Sequence, residues 1–434
     1  MTEPRIDEKS GMPARPPIQY QLSVPHGANL FEFVLKIIVA GVVMSATYLL
    51  IRAKVIEQMM THPVVFCLML DCFLIHVCTN ASKCEALVTG CLGTMAFLFW
   101  LMLFHGSAVQ LWAAAATFGC LLGLASLLVL SVSALKRQGA AGRDQLRAFG
   151  RSSVFLCMAI WGIPILSIAN TIRPEKFDGI LYRFDAGFGV QPSFLIGQIF
   201  ASSRMVHGFE YAIYVSLALP VGLLYIGHLR HNVKWPIDVL QALLVNSLIG
   251  YLLFWVFPAA GPSFAFPQSY PLHSPALSAM GVKPIVFDAL PNAMPSVHVS
   301  TALLIWFNCR PWPRGRLLAL AFLVCTILST LGLGEHYLVD VIVAFPYALL
   351  IQSLSVSRAP DRGSLLLGLS LTAGWIIFLK FGYMLFPTPA LAYGLSVTTV
   401  VLALWQESKL GRSIYAMSGS FSVESGNAQP ILVD

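Results

Sequence analysis

The sequence predicts an all-α membrane protein that crosses the bilayer about twelve times, and three observations lead to this fold class. Apolar residues make up 57% of the 434 residues and charged residues only 11%, against about 45–50% and about 25% in an ordinary globular chain. The mean hydropathy is +0.75. Apolar stretches of roughly 17–25 residues recur along the chain, and each can cross about 30 Å of hydrocarbon.

The apolar stretches define the expected order of elements along the chain. The predicted spans lie near 33–51, 63–79, 86–104, 109–134, 152–170, 209–227, 237–257, 296–309, 317–334, 338–355, 365–385 and 390–405. The eighth is short, so other helices must shield it from lipid. A polar tail over 1–28 and a Ser- and Gly-rich tail over 413–434 are expected to be disordered, because neither can bury enough apolar surface to fold.

The distribution of basic residues predicts the orientation of these spans. If both ends of the chain are cytoplasmic, as twelve spans allow, inner segments carry eighteen Lys and Arg and outer segments carry seven. This bias follows the positive-inside rule. The net charge is +7, but the basic residues lie in separate blocks between apolar runs. They therefore do not form a single nucleic-acid-binding face.

Two outer segments are too long to be plain connectors. Residues 171–208 have a polar, Gly-containing centre, and residues 258–295 carry eight prolines, too many for a helix or a central strand. Segments of this length in a compact membrane protein are usually lids or binding loops. We therefore expect them to shape a functional site at the outer face.

Chemistry-bearing residues stand at two span ends on the same predicted face. PNAMPSVHVSTALL (291–304) closes the proline-rich segment, and GLGEHYLVDVIVAFP (332–346) follows two spans later. The spacing of His336 and Asp340 predicts one helical face, with the carboxylate near enough to bond one ring nitrogen and leave the other as nucleophile or base. The alternative interpretation is a polar anchor at His298 and a simple buried hydrogen bond between the other two.

The two motifs resemble those of a known family. PSVH (295–298) resembles the PSxH signature of the type 2 phosphatidic acid phosphatase superfamily, which shares its fold with the vanadium haloperoxidases, and GEHYLVD (334–340) resembles that superfamily's last motif. The form EHYxxDVxxA is most similar to the branch of inositol phosphorylceramide synthase and sphingomyelin synthase. FPAAGPSFAFP (257–267) is similar to the stretch that precedes PSxH in the first of these.

The resemblance implies a domain organisation. A six-helix catalytic core would cover 152–355, preceded by transmembrane helices over 29–135 and followed by two more over 364–405. The first four and the last two predicted spans fall outside the resemblance. In this core the Gly-Pro stretch follows the third helix, PSVH opens the fourth and HYLVD opens the sixth.

The resemblance also implies roles for individual residues. His336 would be the nucleophile that takes the phosphoryl group, Asp340 would orient it and stabilise the imidazolium, and His298 would protonate the leaving oxygen or deprotonate the acceptor. A helix starting at Ser296 would aim backbone N–H groups at the phosphate, with the Ser296 hydroxyl as a further donor. The mechanism needs no metal and no cofactor.

The sequence departs from the family pattern at its cationic residues. Many phosphatases of the superfamily carry an Arg six residues before the last His, but Ser329 and Thr330 occupy that region here. The cations for the phosphate must then come from elsewhere on the outer face. The candidates, each of which could equally be a headgroup-contacting interfacial cation, are Arg173, Lys176, Arg183 and Arg204.

These observations predict an integral-membrane lipid phosphotransferase or lipid phosphate phosphatase, with the alternative of a secondary transporter. Its expected partners are a membrane lipid that donates the phosphoryl or headgroup unit and a water or alcohol acceptor. The expected location is a bacterial inner membrane with a periplasmic site, or a Golgi-type membrane with a lumenal site. A transporter would place its ionisable residues near the bilayer midplane, whereas these collect at one face.

Overall fold

The computed structural model describes most of the chain from the second predicted span onward. The described residues are 63–104, 111–137, 139–231, 235–277, 283–356, 361–381 and 388–424. The predicted tail over 1–28 and the first predicted span over 33–51 lie outside them.

Within the described residues, four helices precede the outer segments. They are α1 (Pro63–Ile75), which continues as a π-helical turn (His76–Asn80), α2 (Lys83–Phe104), α3 (Leu111–Lys136) and α4 (Gly139–Ile172). Helix α3 packs against α1, α2 and α4. A Cβ atom at Gly123 would lie 2.3 Å from the carbonyl oxygen of Met69, so this glycine permits the close approach of α1 and α3.

The first outer segment folds into two short helices. Strand β1 (Glu175–Lys176) is followed by α5 (Asp178–Ala186) and α6 (Pro192–Ala201). Helix α6 begins with proline at its first position, where the missing N–H costs nothing and the fixed φ suits a helix.

A bent pair of helices follows the first outer segment. Helix α7 (Arg204–Val215) and helix α8 (Ala218–Arg230) meet at an angle of 49°, where one straight span over 209–227 was predicted. Helix α9 (Val239–Val256) follows, and its first N–H groups are capped by the Asp238 carboxylate.

The second outer segment leads into three consecutive helices. It contains α10 (Pro262–Ala265) and β2 (Ile285–Val286), and it is followed by α11 (Val297–Asn308), α12 (Pro313–Gly332) and α13 (Leu338–Leu354). Strand β2 pairs antiparallel with β1, with Glu175 opposite Val286 and Lys176 opposite Ile285. The two outer segments are thus joined by backbone hydrogen bonds.

Two helices close the described chain. Helix α14 (Arg362–Phe381) packs against α13, and α15 (Pro389–Glu424) packs against both. Helix α15 continues past residue 405, where the last span was predicted to end, and past residue 413, where the tail was predicted to begin. Residues 425–434 lie outside the described residues.

The described helices are those of a membrane protein. Within the described ranges, seven helices are long and apolar enough to cross a bilayer, or eight when the bent pair of α7 and α8 is taken as one span. Four shorter apolar helices accompany them, among them α11 and α13. The predicted all-α membrane fold is therefore supported, while the total of twelve spans and the six-helix core stay predictions.

Candidate active site

The two motif histidines lie at the starts of neighbouring helices. His298 is in the first turn of α11 and His336 is in the turn that joins α12 to α13, and their ring centroids are 5.9 Å apart. Ser296 caps α11, because its hydroxyl accepts the Val299 N–H at 3.3 Å. The Ser296 N–H donates to the carbonyl oxygen of Asp340 at 3.2 Å, which ties the start of α11 to α13.

His336 is held with one ring nitrogen available. Its Nδ1 lies 2.9 Å from the carbonyl oxygen of Ala293, and since a carbonyl only accepts, Nδ1 carries the proton. The other nitrogen, Nε2, is buried and has no hydrogen-bond partner among the described residues. Burial also lowers the pKa of His336 to about 3. The ring is therefore neutral, with an unprotonated Nε2 suited to nucleophilic attack.

Asp340 lies near His336 but is not hydrogen-bonded to it. The distance from Asp340 Oδ2 to His336 Nδ1 is 3.7 Å, whereas the same oxygen accepts the Tyr337 N–H at 2.8 Å. The predicted hydrogen bond is absent because α13 begins only at Leu338, so His336 precedes the helix. The Ala293 carbonyl selects the tautomer, and Asp340 caps the helix and places a carboxylate close to the ring.

Two further carboxylates organise the turn, and the sequence interpretation missed both. Asp185 of α5 accepts the Leu338 N–H at 2.6 Å and the Val339 N–H at 3.1 Å, the first donors of α13. Asp178 accepts the hydroxyl of Tyr337 at 3.1 Å. The sequence feature that could have revealed Asp178 and Asp185 is their spacing of seven residues, which places both on one face of a helix.

Asp178 also holds the Gly-Pro stretch against the catalytic turn. Its carboxylate accepts the N–H groups of Ala260 and Gly261, the latter at 2.8 Å. Burial raises the pKa of Asp178 to about 7, although these two N–H groups oppose the shift. Gly261 has φ +105°, and a Cβ atom there would lie 2.4 Å from the Glu335 carbonyl oxygen. Only glycine allows this contact between the two motifs.

Glu335 connects the turn to His298 through an aromatic stack. Its Oε2 accepts the Tyr214 hydroxyl at 3.3 Å and the Asn292 amide at 3.5 Å. The Tyr214 ring stacks on the His298 imidazole, with centroids 4.2 Å apart and an interplanar angle of 20°. Burial raises the pKa of Glu335 to about 7, so this carboxyl titrates in the physiological range beside the two histidines.

Thr330, six residues before His336, stands at the sequence position where the resemblance led us to look for an arginine. The Thr330 carbonyl accepts the N–H groups of Glu335 and His336, each at 3.1 Å. The hydroxyl of Ser329 donates to the Glu210 carboxylate. The segment therefore supports the catalytic turn and supplies no cation to it.

Three of the four predicted cations donate hydrogen bonds to groups in the outer segments or in the helices beside them. Arg173 donates to the Trp255 carbonyl at 2.8 Å, and Arg183 donates to the Leu277 carbonyl at 3.3 Å. Lys176 is buried and donates to the Asn170 side-chain oxygen at 2.6 Å. Arg204 is exposed at the start of α7. Their predicted role in phosphate binding stays a prediction.

Comparison with known proteins supports the family that the motifs indicated. A family model described as the PAP2 superfamily matches residues 179–354, the stretch from α5 to the end of α13 that carries both histidines. No curated protein and no solved structure matches the chain.

The family match and the apolar helices together fit a membrane phosphatase or phosphotransferase. The match supports the type 2 phosphatidic acid phosphatase superfamily without selecting a branch within it.

Proposed function

We propose that this chain moves a phosphoryl or phospho-headgroup unit from a membrane lipid to water or an alcohol through a phosphohistidine on His336. The observation that carries the proposal is a neutral, fully buried imidazole whose Nε2 has no hydrogen-bond partner among the described residues, while its Nδ1–H is held by the Ala293 carbonyl. A structural histidine would be expected to satisfy both nitrogens.

The first half-reaction forms a bond from Nε2 to phosphorus and breaks the bond from phosphorus to the leaving oxygen. The negative charge of the bound phosphate favours the protonated form of His298, whose ring centroid is 5.9 Å from that of His336. This imidazolium then delivers the proton that the leaving alkoxide takes. The imidazolium that forms is stabilised by the Asp340 carboxylate, 3.7 Å from Nδ1. Such charge stabilisation in a water-poor site is usually the largest catalytic contribution.

The second half-reaction transfers the phosphoryl group to an acceptor. His298, now neutral, takes the proton of water or of an alcohol, the new oxygen–phosphorus bond forms and Nε2 leaves. The same residues thus serve a hydrolase or a transferase. We place the site at the outer face, periplasmic or lumenal, and favour an activity like that of inositol phosphorylceramide synthase, with a sphingolipid acceptor.

Rapid-quench capture of acid-labile phosphohistidine tests the roles of the two histidines. His336→Ala should form no phosphoenzyme with any substrate. His298→Ala should form it with an aryl phosphate, which leaves without protonation, but about 10²–10⁴-fold more slowly with a lipid substrate. His207→Ala, at an exposed histidine of α7, is the matched control and should behave as the wild type.

The reverse pattern would overturn this assignment. If His336→Ala still accumulated phosphoenzyme while His298→Ala formed none with either substrate, His298 would be the nucleophile. If neither variant differed from His207→Ala, the phosphohistidine mechanism itself would be wrong.

Lipid mass spectrometry of cells with and without the gene distinguishes the two candidate activities, transferase and phosphatase. Loss of a phosphosphingolipid would indicate the transferase, and accumulation of a lipid phosphate would indicate the phosphatase. An unchanged lipid profile would contradict both.

A further inference from the structure

A basic cavity lies at the opposite end of the bundle from the histidines. Its volume is about 440 Å³, and it lies between the start of α12 and the later turns of α15. The lining residues are Arg310, Arg316, Ser408, Gly411, Arg412, Tyr415 and Ala416.

The cavity has more positive than negative charge. Three arginines line it. One of them, Arg310, forms an ion pair with Glu407, whose carboxylate accepts from Arg310 Nη2 at 2.6 Å. The other terminal nitrogen of Arg310, Nη1, is buried and has no hydrogen-bond partner among the described residues. A buried guanidinium donor without an acceptor is costly, so the positive charge of this arginine is only partly compensated by Glu407.

The backbone of α15 is adapted to this arginine. A Cβ atom at residue 411 would lie 1.5 Å from Arg310 Nη1, so Gly411 leaves the space that the guanidinium fills. Arg310 therefore reaches the cavity wall from the turn between α11 and α12. A residue larger than glycine at position 411 of α15 would block it.

The start of α12 adds a second electrostatic argument. Arg314 and Arg316 are in its first turn, where the partial positive charge of a helix N-terminus disfavours cations. Arg316 is also exposed, with its guanidinium 5.5 Å from the centre of the Trp306 ring. A bound anion would offset this repulsion.

The cavity is separate from the candidate active site. His298 opens α11, and Arg310 follows its last residue, Asn308. A helix of this length, 12 residues, extends about 18 Å. A ligand here would not touch the reacting groups.

We propose that this cavity binds a phosphate-bearing anion at the inner face of the membrane. Guanidinium groups match the geometry of phosphate oxygens and bind them bidentately. The chemistry is shared by the phosphate of an anionic lipid headgroup and by free phosphate, and the experiment distinguishes these sources. The site is independent of the reaction proposed for His336.

The test measures the thermal unfolding midpoint of the full chain in detergent during two titrations. One arm adds phosphatidylglycerol to the micelles, and the other adds inorganic phosphate at constant ionic strength. Arg316→Gln and Arg412→Gln should each weaken the apparent affinity about ten-fold, as expected for the loss of one charge-assisted contact. Both residues are exposed, so the variants should fold.

Arg314→Gln is the matched control, since it removes the same charge from the same exposed turn without lining the cavity. It should leave the affinity within about two-fold of the wild type. Stabilisation by the lipid alone would identify a headgroup, and stabilisation by phosphate would identify a soluble anion. The proposal is wrong if neither probe raises the midpoint, if Arg314→Gln weakens binding as much as the cavity variants, or if the cavity variants bind as the wild type does.

Discussion

Buried carboxylates in two regions of this protein have opposite surroundings. Around the turn that carries His336, the carboxylates of Asp178, Asp185 and Asp340 are fully buried, and each accepts backbone N–H groups. In α1, Asp71 is equally buried, but neither of its oxygens has a hydrogen-bond partner among the described residues. A Cβ atom at Gly222 of α8 would lie 2.1 Å from Asp71 Oδ1, so the carboxyl packs directly against a helix backbone.

The difference shows what burial alone does not reveal. A buried acceptor that receives several N–H groups holds the backbone in one arrangement, and its removal leaves those donors unpaired. A buried carboxyl without donors holds nothing comparable, so its replacement by a neutral group is expected to cost little. The carboxylates of the turn should therefore be important for activity or stability, and Asp71 should not.

The largest effect is expected from Asp340→Asn. The amide can still accept the Tyr337 N–H, but it cannot stabilise a charged imidazole 3.7 Å away. We expect kcat to fall by at least about 10²-fold with an unchanged unfolding midpoint, measured by steady-state kinetics and thermal unfolding. Full activity in this variant would show that the Ala293 carbonyl alone supports His336.

Asp185→Asn should mainly affect stability. One amide oxygen would replace the two carboxylate oxygens that accept the Leu338 and Val339 N–H groups. We expect a loss of about 1–3 kcal/mol in the free energy of unfolding, measured by denaturant unfolding in detergent. Asp238→Asn is the control, because that exposed residue caps α9 and asparagine is an equally good cap. Equal losses in both variants would contradict a special role for the buried cap.

Glu335→Gln should change the pH dependence of stability. Burial raises the pKa of Glu335 from 4.5 to about 7, so the folded chain keeps this proton at a pH where the unfolded chain has lost it. Its contribution is therefore fully present below about pH 4.5 and is lost as the pH rises through about 7.

The measurement is the unfolding midpoint at about pH 5 and about pH 8. The change in the midpoint from the lower to the higher pH should be more negative in the wild type than in Glu335→Gln, because only the wild type loses the Glu335 contribution. The raised pKa of Asp178 and the lowered pKa of His336 act with opposite sign in both proteins and cancel in this comparison. An identical change in both proteins would mean that Glu335 does not titrate in this interval.

The smallest effect is expected from Asp71→Asn. No donor is lost, since none of the described residues bonds to the carboxyl, and the amide has nearly the same volume. Catalytic activity and the unfolding midpoint should both remain within the error of the wild-type measurements. A clear loss of activity would show that Asp71 has a function that its surroundings do not indicate.

The sequence was sufficient to predict that the two motifs lie at one face, because each motif is a short contiguous stretch of the chain. PSVH and GEHYLVD each carry their residues within a few positions, and two intervening spans return the chain to the same side. Hydropathy likewise located most of the described helices. It could not locate the 49° bend between α7 and α8, because both parts are apolar.

The rest of the site depends on contacts between distant positions. Asp178 bonds to Gly261 and Tyr337, and Tyr214 bonds to Glu335. These residues are far apart along the chain, and no periodic pattern in the sequence indicates which of them meet. The predicted bond between Asp340 and His336 failed for a local reason, since the spacing of four assumed a helix that begins two residues later, at Leu338.

The pairing of β1 with β2 has a consequence for how the outer face moves. Glu175 and Lys176 share a ladder with Ile285 and Val286, so neither outer segment can lift away while the other stays in place without breaking backbone hydrogen bonds. The two segments should therefore open as one cooperative unit. In hydrogen–deuterium exchange, peptides that cover the two strands should lose protection together, at a common rate. A substrate should then reach the buried Nε2 of His336 at the rate at which the two segments open.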